Sequence, residues 1–206
     1  MINRELYMEQ ITPFIDKPFV KVITGIRRCG KSVVLRLIRE ELLRRGVSED
    51  YIIYMNFESF EWIDMKEAKA LYAHIREATK APGKYYILLD EIQEVTDWEK
   101  AVNAFLVDLD VDIYVTGSNS RLLSSEFSTY LAGRYVAFHI MTLSFREYLL
   151  FHDLPLTISV SDRKTEFLKY LRMGGFPAIH TANYDYNAIY KIVYDIYSSV
   201  ILRDTV

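Results

Sequence analysis

Cysteine is nearly missing: Cys29 stands alone among 206 residues, so no intramolecular disulfide scaffold can form. No apolar run approaches the roughly 18 to 20 residues needed to cross a bilayer. The start, Met1-Ile2-Asn3-Arg4-Glu5, lacks the basic opening and apolar centre of a signal peptide. These absences lead us to expect a soluble, cytoplasmic protein with no membrane partner. An excess of one charge is lacking too: a net charge of −3 gives no general pull toward nucleic acid. The four histidines, His74, His139, His152 and His180, show no metal-ligand spacing with cysteine, which argues against a zinc site. No repeat, low-complexity linker or long charge block interrupts the chain.

What is present is apolar and alternating. Half of the residues are hydrophobic, enough for one substantial core with a small helical appendage. Short runs rich in β-branched and aromatic residues read as buried strands: Phe19–Thr24, Tyr51–Phe57, Tyr85–Leu89, Asp112–Thr116 and Tyr135–Ile140. Between them lie helical patterns over Lys31–Arg45, Met65–Thr79 and Trp98–Leu109. In the first of these, Val33, Val34, Leu37, Ile38 and Leu42 share a face, and Gly46 supplies a stop. Such alternation predicts an α/β fold of three layers around a mainly parallel sheet. After Met141 the pattern becomes helical. Ser144 and Glu147 have capping-box spacing, and helices are expected over 162–173 and 186–202, on either side of the turn Gly174-Gly175-Phe176-Pro177. We therefore expect a core over 1–141 and a lid-like helical subdomain over 142–206.

The chemistry concentrates where the first strand meets the first long helix. Gly25-Ile26-Arg27-Arg28-Cys29-Gly30-Lys31-Ser32 has the spacing of a phosphate-binding loop. A glycine-rich turn lets consecutive backbone N–H groups converge on phosphates at a helix N-terminus. The expected phosphate-site residues are Gly25, Arg27, Arg28, Cys29, Gly30, Lys31, Ser32 and Val33, with the Lys31 ammonium on the β- and γ-phosphates and the Ser32 hydroxyl on Mg²⁺. A second requirement is a carboxylate at a strand tip. Tyr85-Tyr86-Ile87-Leu88-Leu89 ends in Asp90-Glu91, which assigns Asp90 to Mg²⁺ and Glu91 to polarising the attacking water. A complete strand lies between the loop strand and the Asp-Glu strand, and a glutamate directly follows the aspartate. That pairing points to a water-using ATPase. Cys29 in the loop suggests a vulnerable thiol, since a helix N-terminus lowers thiol pKa.

Two further candidates follow. The strand Ile113–Thr116 runs into Gly117-Ser118-Asn119-Ser120, so either Ser118 or Asn119 is a candidate sensor of the γ-phosphate, against an ordinary polar turn. Arg134, just before the last strand, either reaches a phosphate in its own or a neighbouring site or serves a structural salt bridge. Arg27, Arg28, Arg36, Arg39, Arg44 and Arg45 form a local basic patch that keeps a nucleic-acid partner open.

The motifs G-I-R-R-C-G-K-S, L-L-D-E-I-Q-E-V with D-W-E-K, V-T-G-S-N-S-R-L-L-S, L-A-G-R-Y, L-S-F-R-E-Y and G-G-F-P occur in this order over nearly the whole chain. Together they resemble a family of bacterial and archaeal AAA-type ATPases. The resemblance implies a P-loop core with sheet order 5-1-4-3-2, a helical lid, and ATP and Mg²⁺ as cofactors. It carries Lys31 and Ser32 over as the P-loop pair, Asp90 as the magnesium residue, Glu91 as catalytic base, Ser118 or Asn119 as sensor and Arg134 as the arginine of the Gly-Arg motif. The chain departs from the commoner pattern with Cys29 in place of valine and Ser32 in place of threonine. Relatives continue past a segment like Tyr197–Asp204 into a nuclease-like domain, so a longer native protein is expected. The resemblance leaves two tasks besides hydrolysis open: a nucleotide-dependent switch with negligible turnover, and a nucleic-acid-associated ATPase.

Overall fold

The computed structural model describes residues 3–117, 122, 130–182 and 184–204. Five strands, β1 (Val20–Thr24), β2 (Ile52–Asn56), β3 (Tyr85–Asp90), β4 (Val111–Gly117) and β5 (Tyr135–His139), form one sheet in the order β2-β3-β4-β1-β5. Every pairing is parallel. This is the expected order. β1 and β3 are buried along their full length, whereas β2 and β5, at the edges, are only partly covered. Strands sandwiched on both faces need apolar residues at consecutive positions, which is why the sequence shows runs here instead of alternation.

Helices α1 (Glu5–Ile11), α2 (Lys31–Arg44), α3 (Ala68–Ala78) and α4 (Trp98–Asp108) accompany the sheet. Val20, Val22, Ile87, Leu89, Ile113 and Val115 share a core with Leu71, Ile75, Trp98, Val102 and Phe105 of α3 and α4. The alternate strand positions, including Lys21, Ile23, Leu88 and Tyr114, therefore project to the other face. α2 buries Val34, Leu35, Leu37, Ile38 and Leu42 and contacts β3 and β4. It closes with the paired bonds of a Schellman motif, Val47 N–H to the Leu42 carbonyl and Gly46 N–H to the Leu43 carbonyl.

Two expectations change. The helix expected from Met65 begins at Ala68, because Phe60–Met65 forms a 3₁₀ segment capped by Ser59 and the Thr96 carbonyl accepts the Ala68 N–H. α1 was not anticipated. Its seven residues give only the i, i+4 pair Tyr7 and Ile11 to the interior, too short a pattern to stand out.

The chain forms two compact units. One comprises Glu5–Gly25 and Lys31–His139; the other comprises Met1–Arg4, Ile26–Gly30 and Ile140–Val206. The helical unit contains α5 (Phe145–Phe151), α6 (Val160–Met173) and α7 (Tyr186–Asp204). Ser144 and Glu147 form the expected capping box. Phe145, Tyr148, Phe167 and Tyr170 pack ring against ring. No helix among the described residues is long and apolar enough to cross a membrane.

One polar network lies inside the sheet unit, near the N-terminal ends of the strands. Lys21 on β1 is fully buried and ion-paired with Asp112 on β4. Asp112 also accepts from the Tyr114 hydroxyl (2.8 Å) and the Asp16 N–H (2.8 Å), and Asp16 accepts from the Tyr86 hydroxyl (2.9 Å). Burial lowers the Lys21 pKa against the opposing pull of Asp112. Removing the carboxylate strands a buried cation. We predict that Asp112→Ala costs about 3 to 5 kcal/mol in urea unfolding; a loss below about 1 kcal/mol would show that water satisfies Lys21 in its place.

Candidate active site

β1 delivers the chain to Gly25, and the following turn reverses direction before α2. Gly25 (φ 151°), Arg28 (φ 63°) and Gly30 (φ 104°) all take positive φ. Gly30 adopts its angle without side-chain strain, whereas Arg28 holds a left-handed conformation that costs on the order of 1 kcal/mol or more. Cys29 N–H closes the turn on the Ile26 carbonyl at 3.3 Å. Ser32 stands in the first turn of α2, partly buried, and Val33 follows it. The N-terminus of this 14-residue helix carries the positive end of its dipole.

Lys31 is buried, and its ammonium donates to the Gly25 carbonyl at 3.3 Å. The same nitrogen lies 3.4 Å from Glu91 Oε1. Asp90 closes β3 and is fully buried. Its Oδ1 accepts from the Thr116 hydroxyl and its Oδ2 from the Tyr54 hydroxyl at 3.1 Å. Burial, and secondarily the Asp90 charge, raises the Tyr54 pKa, so Tyr54 stays a proton donor. Glu91 leaves the strand in a left-handed conformation (φ 55°), and its N–H donates to Thr116 Oγ1 at 2.9 Å. Gln93 Nε2 donates to Glu91 Oε2. Lys31, Asp90 and Glu91 are thus gathered at the carboxyl ends of β1 and β3, with Thr116 of β4 joining the two acids. Open α/β sheets bind ligands at this edge.

The donor chemistry suits Mg²⁺. A hard, strongly hydrated cation is held by one or two carboxylates and hydroxyls with much of its water retained. Each Asp90 oxygen accepts one neutral hydroxyl bond and keeps a second lone pair for a metal-bound water. Ser32 supplies a hydroxyl at the helix start.

Four residues here were not singled out from sequence. Thr116 ends an apolar strand two residues before the sensor candidates, and its small polar side chain after three buried residues was the available signal. Gln93 lies in the L-L-D-E-I-Q-E-V motif without a role of its own there, and Tyr54 had no signal. A Cβ at Gly117 would sit 2.1 Å from Gln93 Oε1 and 2.7 Å from Leu122 Cδ1, so a side chain there would displace Gln93 from its place beside Glu91. Ser118 and Asn119 lie outside the described residues.

Arg134 stands apart from this group. β5 runs parallel to β1, with Val20 opposite Tyr135 and Thr24 opposite His139. Arg134 thus precedes the far end of the strand, roughly 16 Å from the loop edge at about 3.3 Å per residue. Its exposed side chain donates to Asn103 at 3.0 Å. The structure does not bring Arg134 together with Lys31, Asp90 and Glu91. Cys29 is fully buried, so the ready thiol attack expected from its position is opposed by access. Half of the basic patch is paired with acids: Arg39 with Glu49, and Arg44 and Arg45 with Glu41. Hydrogen bonds from Arg44 and Arg45 hold the Glu41 carboxyl down at about 2.

Comparison with known proteins adds the lineage. The family model for an AAA domain matches residues 17–149. An uncharacterized protein of Haemophilus influenzae is 41% identical over 207 residues, 99% of this chain and 50% of that protein. An uncharacterized protein of Methanocaldococcus jannaschii is 34% identical over 211 residues, 100% of this chain and 45% of that protein. The chain spans about half the length of these curated relatives. Among solved structures, AMPPCP-bound DnaA from Aquifex aeolicus matches with a TM-score of 0.54 and 16% identity, over 94% of this chain and 62% of that one, which shows a shared fold.

Thr116 uses its hydroxyl twice, as donor to Asp90 and acceptor from Glu91. Thr116→Val should cost about 1 to 3 kcal/mol by leaving buried partners unmade, and Thr116→Ser should restore most of it. Equal urea midpoints for the two variants would rule out the bridging hydroxyl.

Proposed function

The chain belongs to the AAA domain family, and from that premise we propose that it binds ATP with Mg²⁺ and hydrolyses it, using Lys31, Ser32, Asp90 and Glu91. The observation that supports this reading is the triangle of Lys31, Asp90 and Glu91, joined by Thr116, at the carboxyl edge of a parallel sheet. A cation within 3.4 Å of the glutamate, beside a second acid buried under hydroxyl donors, is more than a chance capping pair.

Each residue then has a distinct task. Lys31 gives up the Gly25 carbonyl and Glu91 for the β- and γ-phosphate oxygens, which offer a stronger charge-assisted partner. Glu91, released, accepts a hydrogen bond from a water and takes its proton as the water oxygen attacks the γ-phosphorus. The bond from phosphorus to the bridging oxygen breaks, and ADP leaves with the electron pair. Ser32 and, through water, Asp90 would hold Mg²⁺, which neutralises charge on the phosphates. Tyr54 and Thr116 keep Asp90 fixed. Thr116 also fixes the backbone from which Glu91 projects, and Gln93 steadies its carboxylate.

Arg134, at the opposite sheet edge, suits a role in a neighbouring subunit's site. The work driven by hydrolysis would pass to the helical unit or to a nuclease-like domain in the remainder of a longer protein, in the cytoplasm where ATP and Mg²⁺ are supplied. The pairing of Arg39, Arg44 and Arg45 with acids favours a solvated helix face over a nucleic-acid groove.

Turnover and nucleotide affinity of wild type, Lys31→Ala and Glu91→Gln test this. Glu91→Gln should keep affinity and lose on the order of 100-fold or more in turnover. Lys31→Ala should lose affinity. Tight binding without turnover in wild type would replace hydrolysis by a nucleotide-dependent switch, and turnover unchanged in Glu91→Gln would take the water-activating role from Glu91.

A further inference from the structure

Arg4 is an unusual residue to bury. It precedes the first helix, is 2% exposed, and spends its guanidinium in three directions. Nη1 donates to the Cys29 carbonyl at 3.0 Å, Nη2 donates to the Met141 carbonyl at 2.8 Å, and Nε lies 2.6 Å from Glu147 Oε1. Glu147 is itself buried, and its other oxygen accepts the Ser144 N–H at 2.8 Å and the Ser144 hydroxyl at 2.9 Å. A capping box needs only that second oxygen and no burial. The Glu147 carboxylate therefore has a second occupation, on Arg4. All these residues belong to one compact unit.

We propose that Arg4 is a positioning residue of the phosphate loop, which ties the Cys29 carbonyl to Glu147 of the L-S-F-R-E-Y segment and so aims the Gly30 N–H into the loop. The step from carbonyl to N–H is covalent geometry. The peptide joining Cys29 to Gly30 is planar and trans, so its C=O and N–H point in opposite directions. With the oxygen held on the guanidinium, the Gly30 N–H must face away from Arg4, toward the concave side that phosphates would occupy. Gly30 fits this arrangement twice over. Its φ of 104° favours glycine, and a Cβ there would stand 3.3 Å from Arg4 Nη1. The Arg4 charge is matched by Glu147, so the effect is one of orientation: the three separate guanidinium nitrogens span two backbone oxygens and a carboxylate, a spread that the single nitrogen of an ammonium does not cover. The start of α5 and the loop are thereby coupled, and a displacement of that helix is felt at Gly30.

This inference rests on the phosphate-site reading above, but it has a readout that does not. Cys29 is the chain's one thiol and is buried, so its alkylation by iodoacetamide reports opening of the loop without nucleotide. We expect Arg4→Ala to raise the alkylation rate by about 10-fold or more, the scale of losing charged hydrogen bonds to a buried backbone group. Arg4→Lys should resemble Arg4→Ala. Leu42→Ala, which weakens the core beneath α2 without touching the loop, should change the rate by less than about 2-fold when folded. If Arg4→Ala does not fold, Glu147→Gln takes its place, since it keeps the capping shape and loses the ion pair. An Arg4→Ala or Glu147→Gln rate equal to wild type, or an Arg4→Lys rate equal to wild type, overturns the proposal.

ATP with Mg²⁺ separates the two readings. Protection of Cys29 by ATP in wild type, together with an Arg4→Ala protein whose KM for ATP rises while kcat holds, supports both. Faster alkylation in Arg4→Ala with no protection of any form by ATP leaves the Arg4 tie standing and defeats the phosphate site. Protection in wild type with unaltered alkylation and KM in Arg4→Ala does the reverse.

Discussion

The arrangement depends on parallel register. Because every strand runs the same way, β1, β3 and β4 finish on a single edge of the sheet, and Gly25, Asp90 and Gly117 end neighbouring or next-neighbouring strands. An antiparallel strand anywhere in that trio would send its terminal residue to the opposite edge. The price of the register is burial of consecutive side chains on both faces, met by the apolar runs of β1, β3 and β4. Once those runs are in place, the polar residues that terminate them have nowhere to be except together.

Polar groups at such an edge are costly unless each has a partner. Asp90 is fully buried and is satisfied by neutral hydroxyls from Tyr54 and Thr116, so its charge is not cancelled by a permanent cation. That differs from the opposite end of the sheet, where Lys21 and Asp112 are locked in an ion pair. One end of the sheet is closed electrostatically; at the other, Asp90 is held by neutral hydroxyls and the Lys31 ammonium by the Gly25 carbonyl and Glu91. Left-handed conformations at Arg28 and Glu91 add local strain at the same edge, which rigid strands and α2 sustain. Left-handed backbone occurs at both ends, at Arg28 and Glu91 here and at Asp16 in the structural network, so what distinguishes this edge is an acid held by neutral donors.

Much of this was legible in the residues. Strand runs, the Gly-Lys-Ser loop and the Asp-Glu terminus have local signatures, because each depends on neighbours in sequence. Resemblance to relatives supplied the sheet order, and the observed order matches it. The contacts that complete the site are different in kind. Tyr54 reaches Asp90 over 36 positions and Thr116 reaches it over 26, and no periodicity records such pairings. The place of Arg134 was illegible for a similar reason: its distance from the loop follows from the direction of β5, and nearness in a motif does not measure it. Arg4 was passed over because a lone arginine before a short helix looks like any solvated terminus, and its partners Cys29, Met141 and Glu147 are all remote in sequence.

The central claim is that Glu91 directs a water at a phosphorus held over Lys31. Incubating the chain with ATP and Mg²⁺ in ¹⁸O-enriched water, and weighing the released phosphate by mass spectrometry, tests this most directly. Water attack at the γ-phosphorus predicts inorganic phosphate carrying solvent oxygen, with ADP unlabelled. Label in ADP, or no phosphate released at all, would contradict the account.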